Sequence, residues 1–114
     1  MTLQDIVEQL GMTPLTEKKD YSRVVPAGGY SSDLLSCAMA GARRKGVWVT
    51  LQAHSNIVAV AALLELSAVI ITEGALPDLA TIARANEENI SLFSTTKPTF
   101  WVVGKLWEMG LREE

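Results

Sequence analysis

The chain has 114 residues, 48% of them hydrophobic and 20% charged, and a formal net charge of −3. This composition suits a water-soluble protein, and 1–114 reads as a single domain that can bury roughly two-thirds of its unfolded surface without a disulfide or a metal. An acidic balance with no basic stripe argues against a nucleic-acid partner, and one cysteine with one histidine cannot build a nitrogen and sulfur zinc site within one chain.

The first predicted helix covers residues 2–10, with Leu3, Ile6, Val7 and Leu10 on one face. A polar segment follows, in which 12–15 permits a short strand. Residues 23–27 read as a strand that ends at Gly28-Gly29. Ser31 or Ser32 then caps a second helix, with Asp33 in its first turn and Leu34, Leu35, Ala38, Met39 and Ala42 as its buried stripe. Arg43, Arg44 and Lys45 fill its last turn, where they complement the helix dipole as a solvated end. Gly41 and Gly104, inside helical patterns, mark close packing. Gly11, Gly46 and Gly110 mark helix ends. Cys37, mid-helix, reads as a packing residue and, as the sole cysteine, fits a reducing cytoplasm.

Residues 47–51 form the next predicted strand, 54–66 a helix and 68–72 a strand. Pro77 suits the first turn of a helix reaching Asn86. A strand at 90–93 precedes a final helix, capped by Thr95 or Thr96 and running to Met109. Four alternations of strand and helix imply an α/β fold. Its sheet is mainly parallel, of about four strands, with helices on both faces. The longest apolar region, 57–71, contains Glu65 and Ser67 and is shorter than the roughly 20 residues that span a bilayer. No basic, apolar leader opens the chain.

In such sheets ligands bind beyond the carboxyl ends of the strands. Small polar residues gather in the four turns expected there, each before a helix N-terminus with free N–H groups. The candidate ligand contacts are Gly28, Gly29, Ser31, Asp33, His54, Asn56, Thr72 and Thr95. Capping alone accounts for many such Ser and Thr residues. His54 is open to three roles, namely ligand contact, structural hydrogen bond or general base, with Asp33 and Glu73 as its nearest acidic partners. Gly41 and Gly46 have the spacing of a phosphate loop, but Val47-Trp48 stands where Lys-Ser/Thr is required. No cofactor or metal site and no complete catalytic set can be assembled, so the expectation is a non-enzyme. The helix from His54 is apolar all round, and the last helix carries Phe100, Trp101, Val102, Val103, Leu106, Trp107 and Met109. Two such helices exceed what one small sheet covers, which points to a homodimer.

Three stretches together resemble the DRTGG domain family. They are Gly29-Tyr30-Ser31-Ser32-Asp33-Leu34-Leu35-Ser36, Val47-Trp48-Val49-Thr50 and His54-Ser55-Asn56-Ile57-Val58-Ala59-Val60-Ala61. So does Val69-Ile70-Ile71-Thr72-Glu73-Gly74 with Pro77 beyond it. The likeness extends over nearly the whole chain and is similar to the N-terminal domain of bacterial HPr kinase/phosphorylase without its kinase domain. It implies a small α/β domain that assembles with copies of itself in regulatory roles, in some proteins fused to CBS domains, with no general catalytic activity. The chain departs from the eponymous pattern in two places. His54-Ser55 stands where many members carry Asp-Arg, and Thr72-Glu73-Gly74 stands where they carry Thr-Gly-Gly. A ligand held through that Arg is therefore not implied. The leading expectation is a cytoplasmic, non-catalytic regulatory module that binds a small anionic metabolite or nucleotide at the strand ends. The alternative is a module that docks a metabolic or redox enzyme, and the third a small enzyme using His54.

Overall fold

The computed structural model describes residues 1–112. α1 (Leu3–Leu10) opens with a capping box. The Thr2 hydroxyl accepts from the Asp5 N–H, and the Asp5 carboxylate accepts from the Thr2 N–H. Leu3, Ile6 and Leu10 are buried, as the periodicity predicts. The two-residue strand β1 (Thr13–Pro14) follows, then a 3-10 turn at Tyr21–Arg23. β2 (Gly29–Ser31), α2 (Leu35–Gly41), β3 (Val47–Thr50), α3 (Asn56–Leu63), β4 (Ala68–Ile71), α4 (Leu79–Glu87), β5 (Leu92–Ser94) and α5 (Thr99–Met109) complete the order.

The sheet has five strands in the order β1-β5-β4-β3-β2. β2 to β5 are parallel, and β1 is an antiparallel edge strand beside β5. Three of the four parallel strands, β3, β4 and β5, fall where the alternation predicts them, give or take two residues. The fifth is the short strand permitted near residue 13, and an edge is where Pro14 is tolerated, since it cannot donate to a ladder.

β3 and β4 are buried on both faces, and alternate residues feed two cores. Val47, Val49, Ala68, Ile70 and Phe93 face α1 and α5. Trp48, Val69, Ile71 and Leu92 face α3 and α4, together with Ala38 of α2. Because β2, β3, β4 and β5 lie in chain order, right-handed crossovers put α2, α3 and α4 on one face. α5 leaves β5 for the other face, where it packs beside α1. Trp48 is fully buried, and its indole N–H donates to the Ser32 carbonyl at 2.9 Å.

Several local expectations are corrected. The strand predicted at 23–27 is not formed. Pro26 lacks an N–H, Val25 is exposed, and the pairing falls to Gly29, Tyr30 and Ser31, which lie opposite Val47, Trp48 and Val49. Gly28 and Gly29 therefore open β2 at the amino edge of the sheet. α2 is short and lies at the sheet margin. Of its predicted stripe only Ala38 is buried, while Leu34 and Met39 are exposed, and so is Cys37. The basic run lies beyond the helix, and Arg44 pairs there with Glu65.

Gly46 does not cap α2. A Cβ there would sit 2.9 Å from the Arg43 carbonyl oxygen, so glycine is needed for close backbone approach. Gly41 does mark close packing, against the Tyr30 ring, whereas Gly104 faces open space. Pro77 lies just before α4 and not in its first turn; Asp78 is the cap, and its carboxylate accepts from the Thr81 N–H. α5 begins at Thr99, after Pro98, so neither Thr95 nor Thr96 is its cap.

Candidate functional site

Four turns cross the carboxyl edge of the sheet. In the first, Asp33 ties β2 to β3. Its Oδ1 accepts from the Thr50 hydroxyl at 3.0 Å and the Leu51 N–H at 2.8 Å, and the Gln52 side chain donates back to the Asp33 carbonyl. In the second, the Nδ1 of exposed His54 accepts from the Asn56 N–H at 3.2 Å, satisfying one open donor at the start of α3. That bond uses the Nδ1 lone pair, so in the neutral ring the proton sits on Nε2.

Neither Asp33 nor Glu73 is hydrogen-bonded to His54. The carboxylate it influences is Asp78 at the head of α4. Asp78 is held below its ordinary value first by hydrogen bonds from the Thr81 hydroxyl and N–H, with a smaller contribution from His54.

The third and fourth turns form one stitched unit. The Glu73 N–H donates to the Lys97 carbonyl at 2.9 Å, and the Gly74 N–H to the Thr95 carbonyl at 3.1 Å. The Lys97 N–H closes a local turn on the Thr95 hydroxyl. Buried Thr72 joins its hydroxyl to that of Thr99. The Glu73 carboxylate accepts from the Thr99 N–H at 2.8 Å and so holds the start of α5 from another loop.

Glu73 does this from a left-handed backbone, φ 62°, followed by Gly74 at φ 75°. Three other non-glycine residues have positive φ, namely Lys45, Glu65 and Asn89. Glu65 and Asn89 lie just past the ends of α3 and α4, where a left-handed residue stops a helix, and Lys45 lies in the turn between α2 and β3. Glu73 follows a strand instead, so its strain belongs to the candidate site.

The chain leaves β4 toward α4 on one face and β5 toward α5 on the other. Adjacent strands whose connections diverge in this way make a topological switch point, the usual place for a ligand in an open α/β sheet. A cleft of about 360 Å³ lies beside these two joined turns, toward β1, lined by Leu10, Gly11, Thr13, Gly74, Leu76, Ser94, Thr95, Thr96 and Lys97. It offers four hydroxyls and one ammonium and has no carboxylate on its wall.

Among the residues singled out from sequence, Thr95 lines this cleft, while Thr72 is buried and bonded to Thr99. Ser31, Asp33, His54 and Asn56 occupy the neighbouring turns on the same edge. Gly28 and Gly29 open β2, away from these turns, but Gly29 shares with Ser31 a separate cleft of about 210 Å³ against Trp107 and Leu111 of the C-terminal segment. Lys97 and Gly74 were visible in the strand-end turns. What was not visible is that their two turns face each other across a switch point. Among the described residues no group of three or more His, Cys, Asp or Glu side chains is placed to hold a metal ion. No helix there is long and apolar enough to cross a membrane.

The architecture is a three-layer α/β fold. One solved structure with which the chain superposes is the regulatory region, with CBS and DRTGG domains, of a Clostridium perfringens pyrophosphatase complexed with its activator, diadenosine tetraphosphate. The TM-score is 0.73 at 17% identity, over 90% of this chain and 44% of that one. The chain thus spans less than half of that regulatory region, and the likeness is one of fold, supporting the DRTGG-like reading. No protein-family model and no curated protein matches the sequence.

Proposed function

We propose that the protein is a non-catalytic regulatory module, cytoplasmic, that binds a small anionic metabolite or nucleotide at the carboxyl edge of its sheet. The observation that carries this reading is the cleft beside the switch point, bounded by the turns after β4 and β5 and by the end of α1 and β1, with its hydroxyls, its single ammonium and its lack of carboxylates. Thr95 and Gly74 line it. His54, Asn56, Asp33 and Ser31 extend the polar edge toward β2. The fold shared with a nucleotide-activated regulatory region supports the ligand class. The kinship to the HPr kinase N-terminal domain is part of the same proposal.

Thermal-shift screening of nucleotides and phosphorylated metabolites tests it. The expected result is stabilisation by at least one compound, lost on substitution Thr95→Val. A screen with no stabilising compound would overturn the reading.

A second reading, self-association, is favoured by α5. Phe100 is 91% exposed and Trp107 58% exposed, with Val103 on the same stripe. α3 no longer supports it, since α2, α4 and the sheet surround that helix within one chain. Light scattering at micromolar concentration is expected to give a dimer mass that Trp107→Glu reduces to a monomer. A monomeric mass for the unaltered protein would exclude this reading.

A further inference from the structure

Two lysines converge on one indole beside the switch-point cleft. The Lys97 ammonium lies 5.2 Å from the Trp101 ring centroid, and the Lys105 ammonium 5.7 Å from it. Lys97 comes from the turn after β5, and Lys105 from the second turn of α5. Among the described residues neither has a carboxylate within ion-pair distance. Like charges gathered on one ring repel, and the ring quadrupole offsets this only in part.

Leu10 borders both the switch-point cleft and a second cleft of similar size, lined by Gln9, Leu10, Trp101, Lys105, Glu108 and Met109. The two hollows therefore adjoin across one side chain. A chain of net charge −3 holds here two cations without acidic partners among the described residues, next to the hydroxyls of Thr95 and Thr96. Glu108 is the one carboxylate on the rim of the second hollow.

We infer that Lys97, Lys105 and Trp101 form an anion subsite that takes the phosphate or short polyphosphate of a ligand seated in the switch-point cleft. The inference rests on the reading of the carboxyl edge as a ligand site and adds where the ligand's negative charge sits. Phosphate oxygens bridge the two ammoniums and neutralise their repulsion, while Thr95 and Thr96 add neutral donors. Trp101 keeps both lysine stems in place and reports on them.

The test is titration of the full chain with inorganic pyrophosphate and tripolyphosphate, followed by the indole N–H resonances of the three tryptophans. Sodium chloride at matched ionic strength is the control. The expected result is a saturable shift of the Trp101 signal, with the buried Trp48 signal unmoved. Lys97→Gln and Lys105→Gln are each expected to weaken binding about tenfold, and Glu108→Gln to tighten it. Lys97 and Glu108 are exposed and Lys105 is half-buried, and a retained Trp48 signal shows that each variant is folded.

A shift reproduced by chloride, or affinities unchanged in both lysine variants, would overturn the subsite. If a thermal-shift ligand still binds both variants with unchanged affinity, the cleft stands and the subsite falls. If polyphosphate moves Trp101 while no metabolite stabilises the protein, the subsite stands and the regulatory reading falls.

Discussion

Glu73 combines a cost and a gain that substitution can separate. Its left-handed backbone, φ 62°, costs a non-glycine residue roughly 1–2 kcal/mol. Its carboxylate accepts the Thr99 N–H at 2.8 Å, the kind of contact at a helix start that contributes about 1 kcal/mol. Glu73→Ala keeps the strained backbone and loses the contact, so it is expected to destabilise by about 1 kcal/mol, or roughly 4 °C in Tm for a chain of this size. Glu73→Gly loses the contact and relieves the strain, so it is expected to lie within about 0.5 kcal/mol of the unaltered protein. Glu73→Gln keeps an acceptor and should resemble the parent. Urea unfolding followed by tryptophan fluorescence reads all three. Equal losses for Ala and Gly would show that the backbone there is unstrained. No loss for Ala would show that the Thr99 contact contributes nothing.

Three other outcomes follow from the structure. The Tyr21 hydroxyl is buried without a hydrogen bond of ordinary geometry, and burial pushes the phenol up, offset in part by the nearby Lys19 backbone. Tyr21→Phe is expected to be neutral or to stabilise by about 1 kcal/mol in urea unfolding, and a clear loss would mean that the hydroxyl is satisfied. Asp78 and Asp5 are both held below the usual carboxylate range, Asp78 by Thr81 and Asp5 by Thr2, backbone N–H first. A lowered folded pKa gives stability that is present above the unfolded value and lost as pH falls through the folded one. Asp78→Asn keeps a capping acceptor, so stability near neutral pH should hold while its decline below about pH 4 becomes shallower; an unchanged acid limb in a pH series of Tm values would contradict this. Gly104 faces open space inside α5, so Gly104→Ala is expected to raise stability by about 0.5–1 kcal/mol. If instead the variant lowers the mass seen by light scattering, α5 meets a second chain at that point.

Much of the fold was legible because it is local. Thr2 and Asp5 announce the start of α1, and the β-branched runs at 47–50 and 68–71 announce strands covered on both faces. β2 was not legible. Gly29-Tyr30-Ser31 has little strand character, and its pairing is supplied by β3, while the more strand-like Val24-Val25 is interrupted by Pro26. The start of α5 was misplaced for a similar reason. Its first free N–H is taken by a carboxylate 26 residues earlier in the chain, which no local cap signal encodes.

The sequence by itself determined the alternation of strands and helices, the covered central strands and the polar turns at the strand ends, because periodicity and capping act between near neighbours. Only the tertiary structure decided which turns share an edge. It moved Gly28 and Gly29 to the far end of β2, gave His54 the Asn56 N–H as its partner, set α4 and α5 on opposite faces, and brought the turns after β4 and β5 against β1 and the end of α1 to line one cleft. The meeting of Lys97 and Lys105 on Trp101 was settled there too, since it depends on how a loop and a helix pack against one sheet.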